Sequence, residues 1–176
     1  MKKILIFLLI LSNLSFAAQN LPVNSKELDK ILDQAFENID RGNTQKGVLI
    51  LKKKISEDPT EIIYKAILGS IYDGAGRKNE AEKEFDEAVR LQEKYPFIAG
   101  DGKKYDIRFM IGMFYSFTED YTSALKWLNQ VDEKEYNEMF KDEPMLKDFL
   151  FGIFNYNDNN PEEAKKYLFK SSVYDK

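Results

Sequence analysis

Apolar residues recur along this chain at the spacing of helices rather than strands. Leu28, Ile31, Leu32, Ala35, Phe36 and Ile39 fall on one stripe, which predicts an amphipathic helix. Asn24, with Glu27 three residues later, supplies a start signal, and Gly42 a stop. Val48, Leu51 and Ile55 make a second stripe that closes at Asp58-Pro59, while Lys52, Lys53 and Lys54 keep a polar face. Two further helices are predicted at about Glu61–Ala75 and Asn79–Lys94. Period-two alternation is nowhere convincing, so the pattern predicts an all-α chain.

The predicted helices come in pairs, and the pairs repeat. Gly69 is followed twelve residues later by Ala81, Gly112 by Ala124, and Gly152 by Ala164; in the first pair the order is Ala35 then Gly47. A large apolar residue stands four places further on, at Leu51, Phe85, Leu128 and Leu168. Bulky Leu68, Ile111 and Phe151 precede the later glycines, and Tyr72 and Tyr115 lie three residues beyond theirs. Antiparallel helices that cross closely need small side chains at the crossing, with larger ones filling the space around it. One pair cannot bury its apolar face alone, so neighbouring pairs must stack.

These residues resemble the tetratricopeptide repeat family, whose 34-residue pattern runs W-x₂-L-G-x₂-Y…A-x₃-F…P. Leu68-Gly69-x₂-Tyr72…Ala81-x₃-Phe85 carries the match, with Ala88 at the next small place and Pro59 at the closing proline. Ile111-Gly112-x₂-Tyr115…Ala124-x₃-Leu128 is a second instance, and Phe151-Gly152…Ala164-x₃-Leu168 a third in which Asn155 replaces the tyrosine. The first unit, around Ala35 and Gly47, is degenerate. The resemblance implies a right-handed superhelical solenoid of about four antiparallel helix pairs, with units near 28–61, 62–95, 105–138 and 145–176. The later glycines are 43 and 40 residues apart, so extra chain falls in Lys94–Lys104 and Asp132–Pro144, where loops are expected to absorb it.

Composition narrows the setting. Residues 1–17 begin with Lys2 and Lys3, continue as an apolar run from Ile4 to Leu11, and end with Ser15 and Ala17. That is the layout of a secretory signal peptide, too short to be a membrane span of roughly 20 apolar residues. Cleavage after Ala17 leaves a short leader, 18–24, ahead of a repeat domain over 25–176. The new end is Ala18 rather than cysteine, so a lipoprotein is not expected; a periplasmic or secreted location is, with no stable membrane insertion after cleavage. A net charge of -4, and no basic cluster, argues against nucleic acid as a partner. Absence of both cysteine and histidine removes thiol and imidazole chemistry and the commonest metal ligands.

The remaining chemical signals have simpler explanations. Gly69, Gly74 and Gly76, followed by Arg77 and Lys78, hint at a phosphate loop, but that motif needs Lys then Ser or Thr after its second glycine. Ala75 and Gly76 stand there instead. Asn155–Ala164 hints at a calcium loop, yet its sixth and twelfth places hold Asn160 and Lys166 rather than Gly and Glu. Asn160 as a cap with Pro161 opening a helix explains it better. The carboxylate pairs Asp142/Glu143 and Glu119/Asp120 read as solvated charges. No catalytic residue, metal or cofactor is expected.

The resemblance also implies where a partner would bind, since the family's first helices line a concave surface. Carried over, it places Leu32, Phe36, Ile63, Ala66, Ser70, Phe109, Met113, Ser116, Phe117, Phe149, Ile153 and Tyr156 on or near that surface. Phe36, Ser70, Met113 and Ile153 stand where a carboxylate clamp would want asparagine, so an apolar, aromatic-rich groove for an amphipathic helix or extended apolar peptide is expected instead. Phe169 and Val173, one turn apart, replace polar residues of the earlier units (Lys52 and Ser56, Asp86 and Arg90, Asn129 and Glu133), marking a candidate contact with another subunit or partner. The expected function is a non-enzymatic protein-binding scaffold of a bacterial cell envelope. The alternatives are a self-assembling structural protein and a Glu-dependent peptidoglycan-cleaving enzyme.

Overall fold

A computed structural model describes residues 23–99 and 102–173. It divides into two compact units that meet in sequence at Ile107 and Arg108. The expected signal peptide and most of the leader lie outside the described residues.

The first unit contains α1 (Val23–Asp40), α2 (Thr44–Glu57), α3 (Ile63–Gly74) and α4 (Lys78–Leu91). Each helix packs on the next. Helix α1 already includes Asn24, which therefore lies within the helix rather than ahead of it. Glycine makes both crossings. A Cβ on Gly47 would lie 2.7 Å from the Ala35 carbonyl oxygen, and one on Gly69 would lie 2.6 Å from Cε1 of Phe85. Leu51, Phe85, Ala35, Ala81 and Ala88 are all buried around these contacts.

Tyr72 joins neighbouring helices. Its buried ring has the Arg77 guanidinium 4.3 Å from its centroid and the Lys52 ammonium of α2 at 5.6 Å. Arg77 is also gripped by the Glu80 carboxylate through two hydrogen bonds, which pull the Glu80 carboxyl below its usual range.

The turns between paired helices share one geometry. The amide of Asn43 donates to the Asn38 carbonyl at 2.8 Å, and that of Arg77 to Tyr72 at 2.8 Å. Ahead of each donor stands a glycine with positive φ, Gly42 at 79° and Gly76 at 73°. This is the left-handed helix stop that glycine adopts without steric cost. The second unit repeats both bonds, Asp120 to Tyr115 at 3.1 Å and Asn160 to Asn155 at 2.9 Å, with Glu119 and Asn159 left-handed.

The first stretch of extra chain contains a strand pair. Phe97–Ile98 (β1) and Lys104–Tyr105 (β2) pair antiparallel, Phe97 opposite Tyr105. These two rings are buried, and the amide of Ile107 donates to the Gln92 side chain at 2.9 Å. A ribbon therefore stands where a loop was expected. Its strands are two residues long, too short for alternation to be visible in sequence.

The second unit contains α5 (Ile107–Phe117), α6 (Tyr121–Leu128), α7 (Glu133–Met139), α8 (Met145–Asn157) and α9 (Pro161–Ser172). The crossings repeat those of the first unit. A Cβ on Gly112 would lie 2.8 Å from Cγ of Leu128, and one on Gly152 would lie 2.6 Å from Cδ2 of Leu168. Helix α6 also packs on α8, where the Thr122 hydroxyl donates to the Asp158 carboxylate at 2.5 Å.

The second stretch of extra chain also departs from a loop, because it folds as α7. Tyr136, Met139 and Phe140 from this segment are buried. The Tyr136 hydroxyl donates to the Leu128 carbonyl at 2.8 Å, and its ring meets Phe151 edge-on at 5.8 Å. Asn160 does not act as the expected side-chain cap of α9. Its amide donates instead to Asn155 at 3.3 Å, while buried Asn155 donates to the Phe151 carbonyl at 2.8 Å. An asparagine in the tyrosine position has become a local polar brace.

Candidate functional site

The expected groove residues fall into two groups. In the first unit, Leu32, Ile63 and Ala66 are buried core. Ser70 is half-buried and its hydroxyl donates back to the Ala66 carbonyl at 3.0 Å. The side chain of Phe36 lies outside the described set. In the second unit, Phe109 is 5% exposed, covered by Phe140 at 5.4 Å and Tyr136 at 6.3 Å, both edge-on. Met113 and Phe117 are half-buried, and buried Ser116 donates to the Met113 carbonyl at 2.8 Å.

Helix α8 is different. Phe149 is 44% exposed and Tyr156 is 67% exposed, with Ile153 half-buried between them. Met145, which the family pattern did not mark, is exposed on the same side. The spacing 145, 149, 153, 156 puts all four on one helix face. The signal for Met145 was present in that spacing; it was missed because the family pattern begins its groove places later in the helix.

The sequence explains why this stripe faces outward. Helix α8 turns Phe151, Phe154 and Asn155 into the core, and Gly152 lets α9 approach. The α7 side is held by Lys147, whose ammonium lies 4.7 Å over the Tyr136 ring and pairs with Glu133. The outward face is left with an aromatic ring, a phenol, a thioether and a branched aliphatic chain. Such a face can bury apolar surface against a partner, with the Tyr156 hydroxyl available for hydrogen bonding. It carries no ionised group.

The groups whose titration is displaced lie elsewhere, and each has a structural cause. The Thr60 hydroxyl and amide donate to Asp58 at 2.5 Å and 3.0 Å, holding its carboxyl below the usual value. Burial, helped by the nearby Asp58 charge, pushes Glu61 up. Both belong to the turn that leads into α3. Among the described residues, no group of acidic side chains is arranged to hold a metal ion.

Two segments, 64–95 and 105–133, match the family model described as Tetratricopeptide repeat. These two segments are tetratricopeptide repeats. The matched segments cover α3–α4 and α5–α6 with their following residues, the two hairpins whose glycines contact Phe85 and Leu128. The α1–α2 and α8–α9 hairpins share the same glycine-centred packing outside the matched segments. No curated protein matches the chain significantly. Tetratricopeptide repeats mediate protein–protein interaction, and the α8 stripe lies on a hairpin with the same glycine-centred packing, which makes it a candidate binding face.

Proposed function

We propose that this chain is a non-enzymatic interaction module of a bacterial cell envelope. Its α8 stripe receives the apolar face of a partner helix or peptide. The observation that carries the proposal is the exposure of Met145, Phe149 and Tyr156 together on one helix of a repeat protein. A contiguous exposed apolar face calls for a partner. The envelope setting rests on the apolar, lysine-led segment at 1–17.

Affinity capture from envelope extract tests this, using the wild-type chain beside Phe149→Ser and Tyr156→Lys. Proteins held by the wild type and lost by both variants support the stripe as the binding face. Equal retention by all three would overturn it. Export is checked separately by the mass of the expressed chain: loss of residues 1–17 is expected, and retention of an intact N-terminus contradicts it.

A further inference from the structure

The sequence has no cysteine, so methionine thioethers are the sulfur that an oxidant meets. Met110, Met113, Met139 and Met145 fall among the described residues, and their surroundings differ. Met110 on α5 is 6% exposed and Met139 at the end of α7 is 2% exposed, while Met113 is half-buried. Met145, the first residue of α8, is 37% exposed. An oxygen donor must reach the sulfur to react with it, so these thioethers should not react alike.

Met145 also stands where oxidation has a consequence. It shares one face of α8 with Phe149 and Tyr156, and Phe149, four residues on, is its neighbour on the helix surface. A phenyl ring and a phenol withstand a peroxide that attacks thioethers. Phe169 and Val173, exposed at the end of α9, likewise hold no sulfur. Among the described residues, the large exposed apolar side chain that a peroxide can make polar is therefore Met145, and it lies on the stripe.

We propose that Met145 is a site of reversible oxidation that turns the α8 stripe from apolar to polar. The oxidant is a peroxide. One peroxide oxygen passes to the thioether sulfur as the O–O bond breaks; the sulfur is oxidised to the sulfoxide, and the peroxide is reduced to water or an alcohol. A sulfoxide is a polar hydrogen-bond acceptor, so burying it against an apolar partner costs what burying the thioether gained. A methionine sulfoxide reductase returns the thioether. For its effect on binding the inference rests on the stripe being a binding face; the chemistry at Met145 is independent of that reading.

Hydrogen peroxide added to the purified chain, followed by peptide mass mapping over time, tests this. Met145 should gain oxygen roughly tenfold or more faster than buried Met110 and Met139, with Met113 between them. Circular dichroism should stay unchanged while Met145 converts, because the core methionines are still reduced. Retention on a phenyl hydrophobic-interaction column should fall as Met145 converts and recover after treatment with reductases for both sulfoxide epimers. Met145→Leu should show no such fall under the same peroxide, and Met145→Gln should elute early without it.

Oxidation that reaches Met110 or Met139 as fast as Met145 overturns the proposal. So does retention that full conversion of Met145 leaves unchanged, or a fall that Met145→Leu shows as well. A sulfoxide that neither reductase removes overturns its reversibility. If Met145 behaves as expected while wild type and Phe149→Ser capture envelope proteins equally, the oxidation site stands and the binding face falls.

Discussion

Gly69 and Phe85 lie so close that a Cβ on the glycine would sit 2.6 Å from the edge of the ring. The ring is buried against α3 and has nowhere to retreat. Gly69→Ala should therefore lower stability by about 2 kcal/mol, the usual consequence of overpacking a filled core. Phe85→Ala alone should cost about 3 kcal/mol or more by opening a cavity. The double variant should be less destabilised than the sum, since each change relieves the other. Urea denaturation of the four proteins checks this, and strict additivity would contradict the contact.

The turn into α3 offers a pH test. Burial raises the Glu61 carboxyl, so the folded state favours its protonated form; that contribution is full below the ordinary glutamate value and is lost as pH rises through the folded one. Glu61→Gln should accordingly stabilise the chain at neutral pH, by less than about 1 kcal/mol because the group is only half-buried. The advantage should vanish near pH 3. Asp58 has the opposite sign. The Thr60 hydroxyl lowers its carboxyl, so its contribution is present above the ordinary aspartate value and lost as acid protonates the folded form. Thr60→Ala should remove part of the stability at neutral pH and little of it at pH 2. Denaturation midpoints against pH decide both.

Glu119 adopts φ of 64° at the turn where the first unit uses Gly42 and Gly76. A side chain in the left-handed region is disfavoured by about 1 kcal/mol. Glu119→Gly should raise the melting temperature, with a gain of about 0.5 kcal/mol after the added freedom of the unfolded glycine is deducted. Gly76→Ala should do the reverse, by about 1 kcal/mol. Equal melting temperatures for Glu119→Gly and the wild type would show that the turn stores no strain.

The parts of this fold that sequence made visible are those governed by close contact at fixed separations. Gly69 with Phe85, Gly112 with Leu128 and Gly152 with Leu168 all keep one spacing, because helices cross closely only where a side chain is missing. The contents of the two insertions were hidden for the opposite reason. A ribbon with two-residue strands and a seven-residue helix are both too short to display a period. That gap reached the candidate site. Phe109 occupies a groove place in the repeat pattern, but Tyr136 and Phe140 cover it, and no local pattern around Phe109 foretells a helix more than 20 residues away. On α8 the spacing of the stripe could be read directly, whereas its exposure depended on what the neighbouring helices leave uncovered.

The burial of Phe109 beside the exposure of Tyr156 separates stability from binding. Phe109→Lys would place an ammonium among the Tyr136 and Phe140 rings. Burying that charge should destabilise the second unit by about 3 kcal/mol or more. Tyr156→Lys changes a ring that is two-thirds in water, and should alter stability by no more than about 0.5 kcal/mol. If the stripe is the binding face, capture should fail in Tyr156→Lys while its unfolding curve overlays the wild type. Phe109→Lys should lose capture and helicity together. Thermal melts followed by circular dichroism, run on the samples used for capture, distinguish the two. Lost helicity in Tyr156→Lys would show that the ring is structural, and removes α8 as an independent contact surface.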